Sequence, residues 1–159
     1  MAKKKRKNEA VMGRALIILG LILKILQIIG ASFSLEALTG TNLTFITTCL
    51  LVGGLAVLSV ERMSTVSAFA LISLVGIVGG VLSTNDANYS FIFMMVNFAA
   101  YALMLFFMKK RSRAVFGAAI IVLSVLLVLH TYGAVVIPVP LITVILIAVY
   151  VSMALGLLL

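Results

Sequence analysis

The stretch Ala15–Phe33 reads ALIILGLILKILQIIGASF, and its nineteen residues decide the fold class. At about 1.5 Å per residue, a helix of this length covers about 28 Å, close to the thickness of a bilayer's hydrocarbon core. Apart from Lys24, Gln27 and the terminal Phe33 the segment is built of leucine, isoleucine and small residues, with no broad polar side to turn toward water. It reads as a membrane-spanning helix.

Working outward, five more apolar runs follow: Leu43–Val60, Val66–Leu82, Phe91–Met108, Ala114–Leu129 and Leu141–Leu159. They are separated by the brief polar breaks Ser34–Asn42, Glu61–Thr65, Ser83–Ser90, Lys109–Arg113 and His130–Pro140, none long enough to hold a soluble domain. The whole chain of 159 residues is 64% hydrophobic, with a mean hydropathy of +1.34. A domain this small keeps much of its surface exposed, so that surface must face lipid. Lipid offers the backbone no hydrogen bonds, and only helices or closed barrels satisfy their own. Barrel strands alternate apolar and polar residues, whereas these runs are unbroken. The expected fold is an all-α polytopic bundle of about six transmembrane helices, with a basic cytoplasmic segment at residues 1–14 and one membrane domain at 15–159.

The formal charge of +8 does not indicate nucleic acid, because the basic residues cluster between apolar runs without interleaved aromatic residues. They act instead as topology signals. With the amino terminus in the cytoplasm, that side receives Lys3, Lys4, Lys5, Arg6, Lys7, Arg14, Arg62, Lys109, Lys110, Arg111 and Arg113, and the opposite loops receive no Lys or Arg. The positive-inside rule then puts both termini in the cytoplasm and the protein in the plasma (inner) membrane. The first span follows a basic segment, as a signal peptide's would, but Phe33 and the lack of a small-residue cleavage site mark a retained anchor. Asn42-Leu43-Thr44 and Asn88-Tyr89-Ser90 match the glycosylation pattern, but they abut the membrane and read as chance matches.

Lys24 is the most informative side chain. It lies ten residues after Arg14, hence about 15 Å deeper along a helix and close to the midplane. An intramembrane lysine costs about 2.5–3.5 kcal/mol on insertion scales, and it needs a reason. At helical spacing it shares a face with Gly20, Gln27 and Ala31. Three readings stand side by side: the ammonium snorkels or donates to carbonyls, it holds an anionic ligand, or it pairs with a carboxylate of another subunit. Glu9, Glu36, Glu61 and Asp86 all fall outside the spans, so a carboxylate at the same depth is not expected within this chain.

On the fourth span, Asn97 and Tyr101 stand one helical turn apart and can present polar groups together, for interhelical hydrogen bonds or for a ligand. The same span carries Phe91, Phe93, Met94, Met95, Phe98, Phe106 and Phe107, suited to packing, lipid or an apolar ligand. Gly76 and Gly80 on the third span, and Ala148, Ser152 and Gly156 on the sixth, have the small-residue spacing that lets helix backbones approach closely. Gly53-Gly54 with Thr47 and Thr48 is a place where the second span could loosen. Pro138 and Pro140 suit the start of the last helix, with Ala134–Pro140 lying at the interface or folding back into the bundle, and His130 reads as a boundary residue.

The chain carries one His and one Cys, and Cys49 alone offers neither a disulfide nor a thiolate metal site. With no intramembrane acid and no recognisable nucleophile motif, catalysis, a metal and a cofactor are not expected. A comparison of Ala15–Leu82 with Phe91–Leu159 reveals no matched pair of interrupted helices of the inverted-repeat transporter kind. The leading expectation is a non-catalytic accessory or scaffold subunit of a larger membrane assembly, with the bilayer and a protein partner or second copy as its contacts. The alternative is a small-solute-binding or transport protein whose site lies among Lys24, Gln27, Asn97 and Tyr101, taking an anionic or amphipathic small molecule. A lipid-acting enzyme using Glu36, Asp86 and His130 ranks third.

Overall fold

A computed structural model of the chain describes residues 2–34, 40–61, 65–108 and 110–159. They form six helices: α1 Ala2–Ser32, α2 Thr41–Glu61, α3 Thr65–Leu82, α4 Ala87–Phe107, α5 Arg111–Thr131 and α6 Val139–Leu158. Each contains a stretch long and apolar enough to cross a membrane, and the described residues include no strand. The expected six spans are thus the six helices. Glu36, Arg62 and Lys109 lie outside the described residues.

The helix limits differ from the hydropathy boundaries where polar residues serve the helix itself. α4 begins at Ala87, not Phe91, because Asp86 caps it: its carboxylate accepts from the N–H groups of Asn88 and Tyr89. Such a cap satisfies donors that a helix start otherwise leaves orphaned. α6 begins at Val139 behind Pro138, with Pro140 in its first turn, where a missing N–H does no harm. The link from α5 turns at Gly133, whose φ of +79° is left-handed, and His130 Nδ1 accepts from the N–H of Ile137 at 3.2 Å. That bond folds the outer segment back, so Ile137 is buried while Val136 is 90% exposed.

Each helix packs on its neighbours in sequence, and α6 returns to α1 to close the circuit; α4 and α6 also touch, so α5 lies outside them. α1–α2 and α3–α4 are the most extensive pairs, and glycines explain why. A Cβ on Gly54 would come within 2.5 Å of Ile17 Cγ1 and 2.8 Å of the Gly13 carbonyl, and one on Gly76 within 2.8 Å of the Asn97 backbone nitrogen. Small residues here let the backbones meet. Gly80 does not share this role: a Cβ there would find nothing nearer than Phe93 Cβ at 3.9 Å, and the tight neighbour is Gly79, against the Phe93 ring. Gly156 is buried against Leu105 and Phe116, whereas Ala148 and Ser152 are only half-buried. α2 is continuous through Gly53 and Gly54, and Thr47 and Thr48 donate to carbonyls of the preceding turn at 2.8 and 2.9 Å.

The core follows α4. Phe98, Tyr101, Met104 and Leu105 are fully or almost fully buried, and Phe98 meets the Tyr150 ring edge-on at 5.6 Å. Outside, Leu71, Ile72 and Val75 on α3, Val115, Val122 and Val125 on α5, and Leu141 and Val144 on α6 are exposed. A water-soluble monomer does not carry an apolar surface of this extent, and a bilayer is its natural solvent.

Candidate functional site

Inside the circuit lies a cavity of about 280 Å³, walled by α1, α2, α3, α4 and α6. α5 contributes nothing to it. Its deep end is formed by Ile17, Leu55, Tyr101 and Met153, all buried. Its other end reaches Thr44 at the start of α2 and Thr84 in the turn after α3, both exposed. Both lie at the end of the bundle away from Arg14 and the Lys110–Arg113 turn, so the cavity opens opposite the basic residues.

Lys24, Gln27, Asn97 and Tyr101 all stand on this wall. The structure therefore brings together four residues that the sequence separates by as many as 77 positions, and does so by closing α6 and α1 around α4. They do not behave alike. Gln27 is buried on α1, and its Nε2 donates to Thr44 Oγ1 across the α1–α2 interface at 3.1 Å. Asn97 Oδ1 accepts from Ser73 Oγ on α3 at 2.6 Å, and Tyr101 Oη donates to the Met153 carbonyl on α6 at 3.0 Å. These bonds tie α4 to its neighbours, the structural role foreseen for that pair.

Lys24 is the exception. It is half-buried, lines the cavity, and makes no hydrogen bond or ion pair among the described residues. Its neighbours on the α1 face explain the geometry: Gly20 packs against Leu51, drawing α1 onto α2, while Ala31 is exposed beyond the cavity mouth. No described carbonyl accepts from its ammonium, so the carbonyl bonding that would explain an intramembrane lysine is not made among the described residues.

Several wall residues escaped the sequence reading. Thr47 and Thr48 send their hydroxyl protons to carbonyls of their own helix, and Thr44 to that of Gly40 just before it, which lets polar residues sit in a span at little cost. Ser73, Thr84, Ser90 and Tyr150 gave no periodic signal, and their convergence depends on long-range packing. Arg113, grouped with the loop charges, is buried at the start of α5, where Nη1 donates to Met108 Sδ at 3.4 Å. Lys110 Nζ donates to an oxygen of Leu159, joining the start of α5 to the end of α6.

Of the three residues suggested for catalysis, the structure describes two. Asp86 is occupied with capping α4, His130 with the N–H of Ile137, and Glu36 lies outside the described residues. Among the described residues no three His, Cys, Asp or Glu side chains gather as metal ligands, and Cys49 is exposed. No family model matches the chain, and neither a curated protein nor a solved structure shows significant similarity to it.

Proposed function

We propose that this six-helix membrane protein binds a small solute inside its bundle, in the cavity beside Lys24. The observation that carries the reading is an ammonium without a partner among the described residues, on the wall of a cavity about 280 Å³ in volume. Small-molecule sites have this form, a mostly apolar concavity with a few convergent polar groups. An intramembrane charge that faces a cavity rather than lipid is the usual mark of a solute path. With the basic residues cytoplasmic by the positive-inside rule, the mouth at Thr44 and Thr84 faces outward, and a solute enters from the outside of the plasma or inner membrane.

The accessory-subunit reading loses ground by the same observations. It drew on Lys24 as a partner-seeking charge and on small-residue faces as subunit contacts. Lys24 faces inward, and Gly76 and Gly156 are filled by Asn97, Leu105 and Phe116 of the chain itself. Native mass spectrometry of the protein extracted gently from its own membrane tests the choice. A discrete small molecule bound to wild type and lost from Gly80→Leu, where a side chain grows into open space, is the expected result. A second polypeptide at fixed stoichiometry, or only bulk lipid on both proteins, overturns it.

A further inference from the structure

A count of free donors and acceptors narrows the class of solute. The threonine hydroxyl protons of the wall are already committed: Thr44 donates to the Gly40 carbonyl, Thr47 to that of Leu43 and Thr48 to that of Thr44. Tyr101 gives its proton to Met153. The Asn97 carbonyl oxygen is taken by Ser73, which leaves the Asn97 amide N–H groups without a partner among the described residues. The Lys24 ammonium and the Tyr150 hydroxyl on α6 likewise have no partner among the described residues, and no carboxylate of the described residues lines the cavity. Below this polar level the wall is apolar, made by Ile17, Leu21, Leu51, Leu55 and Met153. A positive, donor-rich level above a hydrocarbon floor is complementary to one kind of molecule.

We infer that the cavity takes a single-chain amphipathic anion, its head group held by Lys24 and Asn97 and its hydrocarbon chain directed inward over the floor toward Ile17. The inference rests on the solute-binding reading and adds the ligand's charge, shape and direction. Depth sets the length. Ile17 lies seven residues before Lys24, about 10 Å along the helix. With C–C bonds of about 1.5 Å, a zigzag chain of about eight carbons fills that distance. A volume near 280 Å³ admits one such chain and excludes a two-chain lipid. A head group that is neutral leaves the ammonium desolvated and unpaired, whereas an anion satisfies it.

The probe is octanoate, measured as radiolabelled ligand on the full chain in nanodiscs of neutral phosphatidylcholine, with empty nanodiscs subtracted. The expected result is one saturable site, with octanol, the same chain under a neutral head, and acetate, the same head without the chain, each weaker by about tenfold or more. Lys24→Met loses binding by a similar factor, and Lys24→Arg, which keeps the charge, retains it. Because Lys24 makes no bond among the described residues, Lys24→Met melts no lower than wild type, which separates lost binding from lost fold. Equal binding of octanol, or unchanged octanoate binding by Lys24→Met, overturns the inference. So does displacement of octanoate by phosphatidylglycerol built into the disc, which would make the anion a two-chain lipid. If octanoate fails while native mass spectrometry still finds a small molecule lost from Gly80→Leu, the amphiphile is wrong and the solute-binding reading stands.

Discussion

Substituting alanine for Gly76 adds one carbon where α3 crosses α4, and the structure gives the consequence. The new Cβ would sit 2.8 Å from the Asn97 nitrogen, 3.0 Å from its Cα and 3.0 Å from the Phe93 carbonyl oxygen, where ordinary contact begins at 3.4 Å. All three are backbone atoms of α4, so no rotamer change relieves the overlap, and the two helices must separate by several tenths of an ångström. Overpacking of this kind costs about 1–3 kcal/mol. Alanine's better helix propensity returns about 0.5–1 kcal/mol. The net expectation is a loss of up to about 2.5 kcal/mol. Gly80→Ala, one turn along the same face, is the control: its Cβ meets nothing closer than 3.9 Å, so only the propensity gain of about 0.5–1 kcal/mol remains. Thermal unfolding of both variants in one mild detergent measures the contrast. Opposite signs are predicted, with Gly76→Ala below wild type and Gly80→Ala at or above it. A Gly76→Ala protein as stable as Gly80→Ala would refute the α3–α4 packing described here.

Two further outcomes follow from single hydrogen bonds. Tyr101→Phe removes the only described side-chain bond between α4 and α6 and should lower stability by about 0.5–1.5 kcal/mol in the same unfolding assay. His130→Ala frees the Ile137 N–H, so hydrogen exchange should speed up at Ile137 and its neighbours while the interior of α5 and α6 stays protected; protection unchanged at Ile137 would show that the histidine does not hold the outer turn.

The six spans were legible because lipid demands unbroken apolar runs, and Ala15–Phe33 already showed it. The start of α4 was not, because hydropathy reads Asn88, Tyr89 and Ser90 as loop, whereas the capping carboxylate of Asp86 makes them a first turn. Lys24, Gln27, Asn97 and Tyr101 stood out as polar residues at membrane depth. The sequence could group them in one site only as an alternative, since sharing one cavity depends on α6 closing on α1, and no local period encodes a contact between helices so distant in sequence. The close approach of Gly13 and Gly54 between α1 and α2 escaped for the same reason: each is unremarkable until its partner is known. Gly80 shows the converse, since small-residue spacing marks it as a tight packing position and the structure puts it on the cavity wall, in no more than ordinary contact with Phe93.

The measurement that tests the central claim most directly is the accessibility of position 24 in sealed, oriented membrane vesicles. In a Cys49→Ser background, which removes the exposed native thiol, Lys24→Cys is treated with a membrane-impermeant thiol reagent from each side in turn. A water-reachable cavity open away from the basic residues predicts modification from that side alone, slowed when Gly80→Leu fills the space. Absence of modification from either side, or modification only from the side of the basic residues, would contradict it.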